Sequence, residues 1–252
     1  MNAIALQSGS GGNCIYVECG GTALLFDAGV SGVKAAERLA AVGRDIRNVS
    51  ALILSHDHSD HVRCAGIYQR KFGLPIYATD GTLTVAEPRF GVVNDVRPFK
   101  AGATLRFNGL AVETIPTPHD GADGVAFVVN AKRKRLGILT DLGHVFDGLA
   151  PVVKKLHGVF MESNYDPKML ETGPYPRYLK DRIRGPGGHI SNEESADLLA
   201  GAASARLKWA CLAHLSQNNN TPAKALRTHR RIGGTYRRCV TRYTDAADLL
   251  EL

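Results

Sequence analysis

Ser55-His56-Asp57-His58-Ser59-Asp60-His61 places three imidazoles and two carboxylates in seven consecutive positions. The apolar run Ala51-Leu52-Ile53-Leu54 precedes it and is predicted to be a buried strand. On the loop beyond a strand, side chains converge on a point outside the sheet edge. His56 and His58 alternate with Asp57, so in extended backbone they project to the same side. Asp60 and His61 start the next turn and can face a second ion. A helix is expected to begin soon after His61. Neutral imidazole and carboxylate suit zinc, manganese or iron. A histidine-rich surface loop is the bland alternative, and the density of ligand-type residues straight after a strand argues against it.

Residues of the same kind recur at other predicted strand ends. Leu110–Thr117 runs into Pro118-His119-Asp120, Arg135–Thr140 into Asp141, and Leu207–Ala213 into His214. If these ends share one sheet edge, His56, His58 and His119 can hold one ion. Asp60, His61 and His214 can hold a second, and Asp141 can bridge. Ions in such a pair lie roughly 3.5–4 Å apart with a water or hydroxide between them. Asp27 ends the strand Ala23–Phe26. It reads as an acceptor behind a metal-bound imidazole, or equally as a turn residue or helix cap. His144 is nearby in sequence, but no spacing demands it as a ligand.

The 252 residues suffice for one large domain with a buried core. No repeat, linker or low-complexity tract divides them, so residues 1–252 are read as one domain. Strands are expected at Ala3–Leu6, Cys14–Glu18, Leu74–Ala78, Asp95–Lys100, Ala103–Phe107, Gly124–Asn130, Gly158–Glu162 and Thr235–Tyr243. Helices are expected near Val33–Ala41, Phe146–Leu156, Tyr175–Arg184 and Pro222–Arg231. Another follows Ser191 or Asn192, which cap it with help from Glu194. A short acidic tail ends the chain.

The net charge is +7, which favours polyanionic partners only weakly. The hairpin tip Lys132-Arg133-Lys134-Arg135 reads evenly as a solvated, aggregation-blocking turn or as a phosphate-contacting finger. The loop Ser8-Gly9-Ser10-Gly11-Gly12-Asn13 can turn N–H groups toward an anion, although a plain hairpin turn is favoured. Five cysteines with no CxxC pair argue against a disulfide framework and for a reducing cytoplasm. The N-terminus lacks the pattern of a signal peptide, and no apolar run is long enough to span a membrane.

The HxHxDH pattern of His56, His58, Asp60 and His61, followed in order by His119, Asp141 and His214, resembles the metallo-β-lactamase superfamily. The resemblance implies an α/β, four-layer αββα sandwich with a dinuclear site along one edge. Longer blocks are similar to its YycJ/WalJ branch: Gly9–Cys14, Phe26–Gly29, Leu54–His61, Thr117–Asp120, Thr140–Gly143, Glu162–Asn164, Gly188–Asn192 and Ala213–Ser216. That branch is associated with 5′→3′ exonuclease action on DNA and sits among phosphodiesterase-type members with tRNase Z, RNase J and PhnP. Two departures stand out. Asp57 replaces an expected Glu, and Val62-Arg63-Cys64-Ala65-Gly66 is less regular than the Gly-rich sequence expected there. Asp57 is assigned a supporting role behind the ligands.

The resemblance implies a metal-dependent phosphodiester hydrolase whose cofactors are two divalent ions, Zn or Mn, bridged by a hydroxide. Its partner would be nucleic acid, DNA first, with no membrane. His189 is the candidate proton donor to the leaving oxygen, oriented by Glu162, with Asp60 as a further catalytic residue. A helix-capping or packing role is the bland reading of His189. Ser10, Asn164 and Asn192 are candidate phosphate contacts. A PhnP-like small-molecule phosphodiesterase, or a thioester or lactam hydrolase on the same fold, is the alternative. A binding protein with a structural metal is the non-enzyme option.

Overall fold

A computed structural model describes residues 1–252. Two seven-stranded sheets face each other. The first contains β1 (Asn2–Gln7), β2 (Cys14–Cys19), β3 (Thr22–Phe26), β4 (Ala51–Ile53), β5 (Ile76–Thr79) and β6 (Val96–Phe99). The second contains β7 (Thr104–Phe107), β8 (Leu110–Pro116), β9 (Val125–Ala131), β10 (Lys134–Leu139), β11 (Gly158–Glu162), β12 (Trp209–Ala213) and β13 (Arg237–Val240). The seventh strand of the first sheet is β14 (Leu250–Glu251), which pairs antiparallel to β1. The expected acidic tail is therefore an edge strand. Its backbone closes the ladder, Leu250 and Leu252 are buried, and the Trp209 indole donates to the Glu251 carbonyl at 3.0 Å.

Alternation along the strands builds the layers. Ala3 and Ala5 face the space between the sheets, while Ile4 and Leu6 face outward under helices. Between the sheets Phe26 meets Phe127 at 5.0 Å between ring centres, and Phe160 meets Trp209 at 5.4 Å. Outside the first sheet, α1 (Gly32–Ala40), α2 (Ser59–Val62) and α3 (Ala65–Phe72) contribute Ala35, Leu39, Val62, Ala65 and Tyr68 to a second core. Outside the other sheet, α5 (Leu149–Val153) and α8 (Asn192–Ala202) cover Met161 and Ala210. The remaining helices are α4 (Asp80–Ala86), α6 (Pro167–Thr172), α7 (Arg177–Arg184) and α9 (Pro222–Arg230). The result is the expected αββα sandwich. No helix is long and apolar enough to cross a membrane.

Strand direction positions the chemistry. β3 and β4 run parallel in one sheet, as do β10, β11 and β12 in the other. β8 is antiparallel to β9 and β9 to β10, so β8 also points the same way. Loops outside the carboxyl ends of such strands gather at one edge. The basic tip Lys132–Arg135 lies at the opposite ends of β9 and β10, and Arg135 is paired with Glu113 at 2.9 Å. A phosphate-contacting finger at the site is thus excluded for it. The expected long helix at Phe146–Leu156 is only the five residues of α5.

Deleting Leu249–Leu252 should remove two buried leucines, each worth about 1.5–3 kcal/mol, and unpair β1. Urea denaturation of the truncated chain should show a loss of at least about 3 kcal/mol; an unchanged midpoint would contradict the edge-strand assignment.

Candidate metal centre

Four loops, after β4, β8, β10 and β12, bring the ligand-type residues together. His58 caps α2, so Asp60 and His61 lie in the first turn of that helix rather than before it. Asp141 and His214 follow β10 and β12 in left-handed backbone, with φ of 56° and 55°, and Asp27 after β3 does the same at 65°. Residues without a glycine's freedom hold this conformation at a cost, typically where a side chain must be aimed.

His119 Nε2 lies 3.2 Å from His58 Nδ1, and His56 completes that group. In the second group, Asp60 Oδ2 lies 3.5 Å from both His61 Nε2 and His214 Nε2. Asp141 sits between them, 3.4 Å from both His61 Nε2 and His214 Nε2 and 3.8 Å from His119 Nε2. The structure thus brings together all seven residues His56, His58, Asp60, His61, His119, Asp141 and His214.

The donor set fits divalent cations on two observations. First, His56 Nε2, His214 Nε2 and both oxygens of Asp141 are buried without a hydrogen-bond partner. Buried polar atoms are otherwise almost always satisfied. Second, the far nitrogens of four of the five rings, His56, His58, His61 and His119, face acceptors, which leaves their other lone pairs facing inward. His61 Nδ1 donates to Asp27 Oδ2 at 2.8 Å. His56 Nδ1 donates to Ser55 Oγ at 2.9 Å, and Ser55 Oγ donates on to Asp27 at 3.0 Å. His119 Nδ1 donates to the Gly188 carbonyl at 2.8 Å. His58 Nε2 faces Asp120 Oδ1 at 3.4 Å, leaving Nδ1 for the centre.

Charge within the cluster is strongly coupled. Burial, reinforced by His61, holds the His56 imidazole well below its ordinary pKa. Burial pulls His61 the same way, but Asp141, Asp27 and Asp60 outweigh it and hold His61 well above. Burial opposes ionisation of Asp141, yet His214, His61, His56 and His119 hold it well below the usual carboxylate range. A divalent cation would compete with the His61 proton, so affinity should rise with pH.

The loop carrying His189 is hung on the ligand loops by three successive carbonyls. Pro186 accepts from His144 Nδ1 at 2.7 Å, Gly187 from the Asp120 amide at 3.0 Å, and Gly188 from His119. His189 Nδ1 donates to Glu162 Oε1 at 2.7 Å, and the other Glu162 oxygen accepts from the Leu142 amide at 2.8 Å. Glu162 is fully buried. His189 Nδ1 is 3.7 Å from Asp141 Oδ1, so the pair borders the cluster. Beyond it Ser191 caps α8 in a capping box with Glu194.

Two of the predicted phosphate contacts are buried and bonded within the protein. Asn164 is buried, and its amide nitrogen donates to the His214 carbonyl at 2.8 Å, fixing that ligand. Asn192 is fully buried in a network with Ser163 and Asn220. Ser10 is exposed at its loop tip. Sequence reasoning missed Asn13, whose amide nitrogen lies 3.1 Å from Asp60 Oδ2 and 2.9 Å from His61 Nε2. A polar residue entering an apolar strand from a glycine loop is the only signal for it. Gly29 is required here, because a Cβ would come within 1.6 Å of the Asp60 carbonyl. Asp57 accepts from the Ala122 amide at 2.6 Å and ties the His56 loop to the His119 loop.

Residues 8–165 match the Metallo-beta-lactamase superfamily. The chain belongs to this superfamily. It is 36% identical over 218 residues to exodeoxyribonuclease YycJ of Bacillus anthracis, covering 85% of this chain and 82% of that one. To exodeoxyribonuclease WalJ of Streptococcus pneumoniae serotype 2 (strain D39) it is 35% identical over 219 residues, covering 85% and 81%. Among solved structures, the metallo-beta-lactamase fold protein YhfI of Bacillus subtilis superposes with a TM-score of 0.75 at 15% identity, covering 98% and 99%. The fold is the metallo-beta-lactamase fold, and the chain is a metal-dependent hydrolase of that superfamily.

A Cβ on Gly188 would come within 2.2 Å of the Arg182 and Ile183 carbonyls. Gly188→Ala should therefore displace the carbonyl that holds His119 and cost about 1–3 kcal/mol in thermal unfolding. A variant as stable as the parent would show that the loop is not fastened this way.

Proposed function

We propose that this hydrolase is a nuclease acting on DNA as a 5′→3′ exonuclease, with residues 1–252 as one catalytic domain. In this reading His56, His58 and His119 hold one divalent ion, Asp60, His61 and His214 hold another, and Asp141 is shared. When bound, zinc or manganese ions supply a hydroxide near neutral pH and neutralise charge on the phosphate oxygens.

The observation that carries the reading is the His189–Glu162 pair. His189 lies within ligand distance of Asp141, Glu162 and His214, but its Nδ1 is taken by Glu162, which fixes it as the donor, and Nε2 has no protein partner. That leaves Nε2 to protonate a leaving oxygen as the bond to phosphorus breaks. The leaving 3′-oxygen of a nucleotide needs this proton, because an alkoxide is a poor leaving group. A thiolate leaves without one, so a thioester hydrolase has no task for the pair. Glu162 keeps the ring in one orientation and balances the charge of its protonated form. Asp60 acts through the ions it helps to hold. The names of the two curated relatives support a deoxyribonucleic substrate, and the net charge of +7 is compatible with a polyanion. Five free cysteines are compatible with action in the cytoplasm.

His189→Ala should retain its metal and slow DNA hydrolysis by about 10²–10⁴-fold. With bis(p-nitrophenyl) phosphate, whose phenolate leaves unprotonated, the loss should be small. Equal losses on both substrates would reject the proton-donor role.

A further inference from the structure

Helix α7 carries Arg177, Lys180, Arg182 and Arg184 within eight residues. Its arginines are largely spent. Arg182 is bidentate to Asp120 at 2.6 and 3.0 Å, Arg184 is paired with Asp181 and Glu171, and Arg177 faces Asp181. Two other arginines differ. Arg63 follows the His61 turn, is exposed, and donates Nε to the Gly29 carbonyl at 2.7 Å and an amino group to the Gly11 carbonyl. Arg89, beyond α4, is exposed and donates to the Asp57 carbonyl at 3.0 Å. Neither forms an ion pair, so no carboxylate neutralises either guanidinium.

Both are tied to backbone that carries the cluster. Arg89 is fixed to the carbonyl of Asp57, the residue between His56 and His58. Arg63 is fixed to the glycine loops whose backbone meets Asn13 and Asp60. Each retains N–H donors that the protein does not use, in the planar fork that suits phosphate. Holding the guanidiniums on backbone carbonyls also removes part of the ordering cost of binding.

We propose that Arg63 and Arg89 bind the backbone phosphates that flank the scissile one, and so select a polynucleotide strand over an isolated phosphodiester. This rests on the nuclease reading above and specifies its substrate contacts. Small diesters carry no flanking phosphates and gain nothing from the pair.

The test is kcat/KM of the metal-loaded enzyme on a single-stranded oligodeoxynucleotide, measured from low to high salt. Each neutralised phosphate on a single strand contributes about 0.7 to the slope of log affinity against log salt. Arg63→Gln and Arg89→Gln should each flatten the slope by about that much, and the double variant by about twice as much. Arg63→Lys and Arg89→Lys should restore most of it, which separates charge from folding damage. Arg133→Gln, at the far hairpin tip, should leave the slope alone. Unchanged slopes in the Gln variants, or equal flattening by Arg133→Gln, overturns the proposal. If the parent enzyme turns over small diesters but no oligonucleotide, the nuclease reading itself fails and the pair's role falls with it.

Discussion

Asp141 is the constraint on which the site depends. Its carboxylate is almost wholly buried, makes no hydrogen bond, and is ringed by His56, His61, His119 and His214. An ionised carboxylate in such surroundings costs several kcal/mol unless positive charge faces it. The imidazoles can supply that charge as protons, and a divalent cation held in the cluster would supply it with greater density. Much of the neighbouring geometry follows. Asp141 takes left-handed backbone to aim inward, Glu162 binds the next amide, and His214 is turned the same way by Asn164.

A polar scaffold behind the ligands makes that geometry rigid. The Asp27 carboxylate orients His61 directly and His56 through Ser55. Gly188 orients His119, and the same loop presents His189. His119 and the proposed proton donor His189 thus share one mechanical support. Such coupling matters for catalysis because small misplacements of reacting groups are costly. Arg182 extends the scaffold outward: it clamps Asp120, which faces His58. Its charge is therefore structural, whereas Arg63 and Arg89 are exposed and face no carboxylate.

The clustering of these histidines and carboxylates was legible in the sequence because they sit at strand ends, where apolar runs mark the element and the next residue marks the edge. The same pattern exposed the two sheets and Asp27. Side-chain direction inside loops left no such trace. Asn164 and Asn192 look like phosphate contacts in sequence, yet both turn inward because the polypeptide must satisfy its own buried loop groups. Asn13 was hidden in a glycine loop whose shape depends on Asp60. The basic hairpin looked accessible to substrate because register alone does not reveal which end of a hairpin meets the site. Leu250 and Leu252 are too short a run to signal a strand, and only pairing with β1 makes them one.

The central claim is that this cluster is a metal centre that cuts DNA. End-labelled single- and double-stranded DNA and RNA, incubated with the chelated protein and then with added Mn²⁺ or Zn²⁺, test it most directly. A 5′-labelled DNA strand should release its label in the earliest products once metal is restored. The same strand labelled at the 3′ end should shorten progressively, and Asp141→Asn should do neither. Full activity in chelator, or no attack on any nucleic acid after metal is restored, would contradict the account.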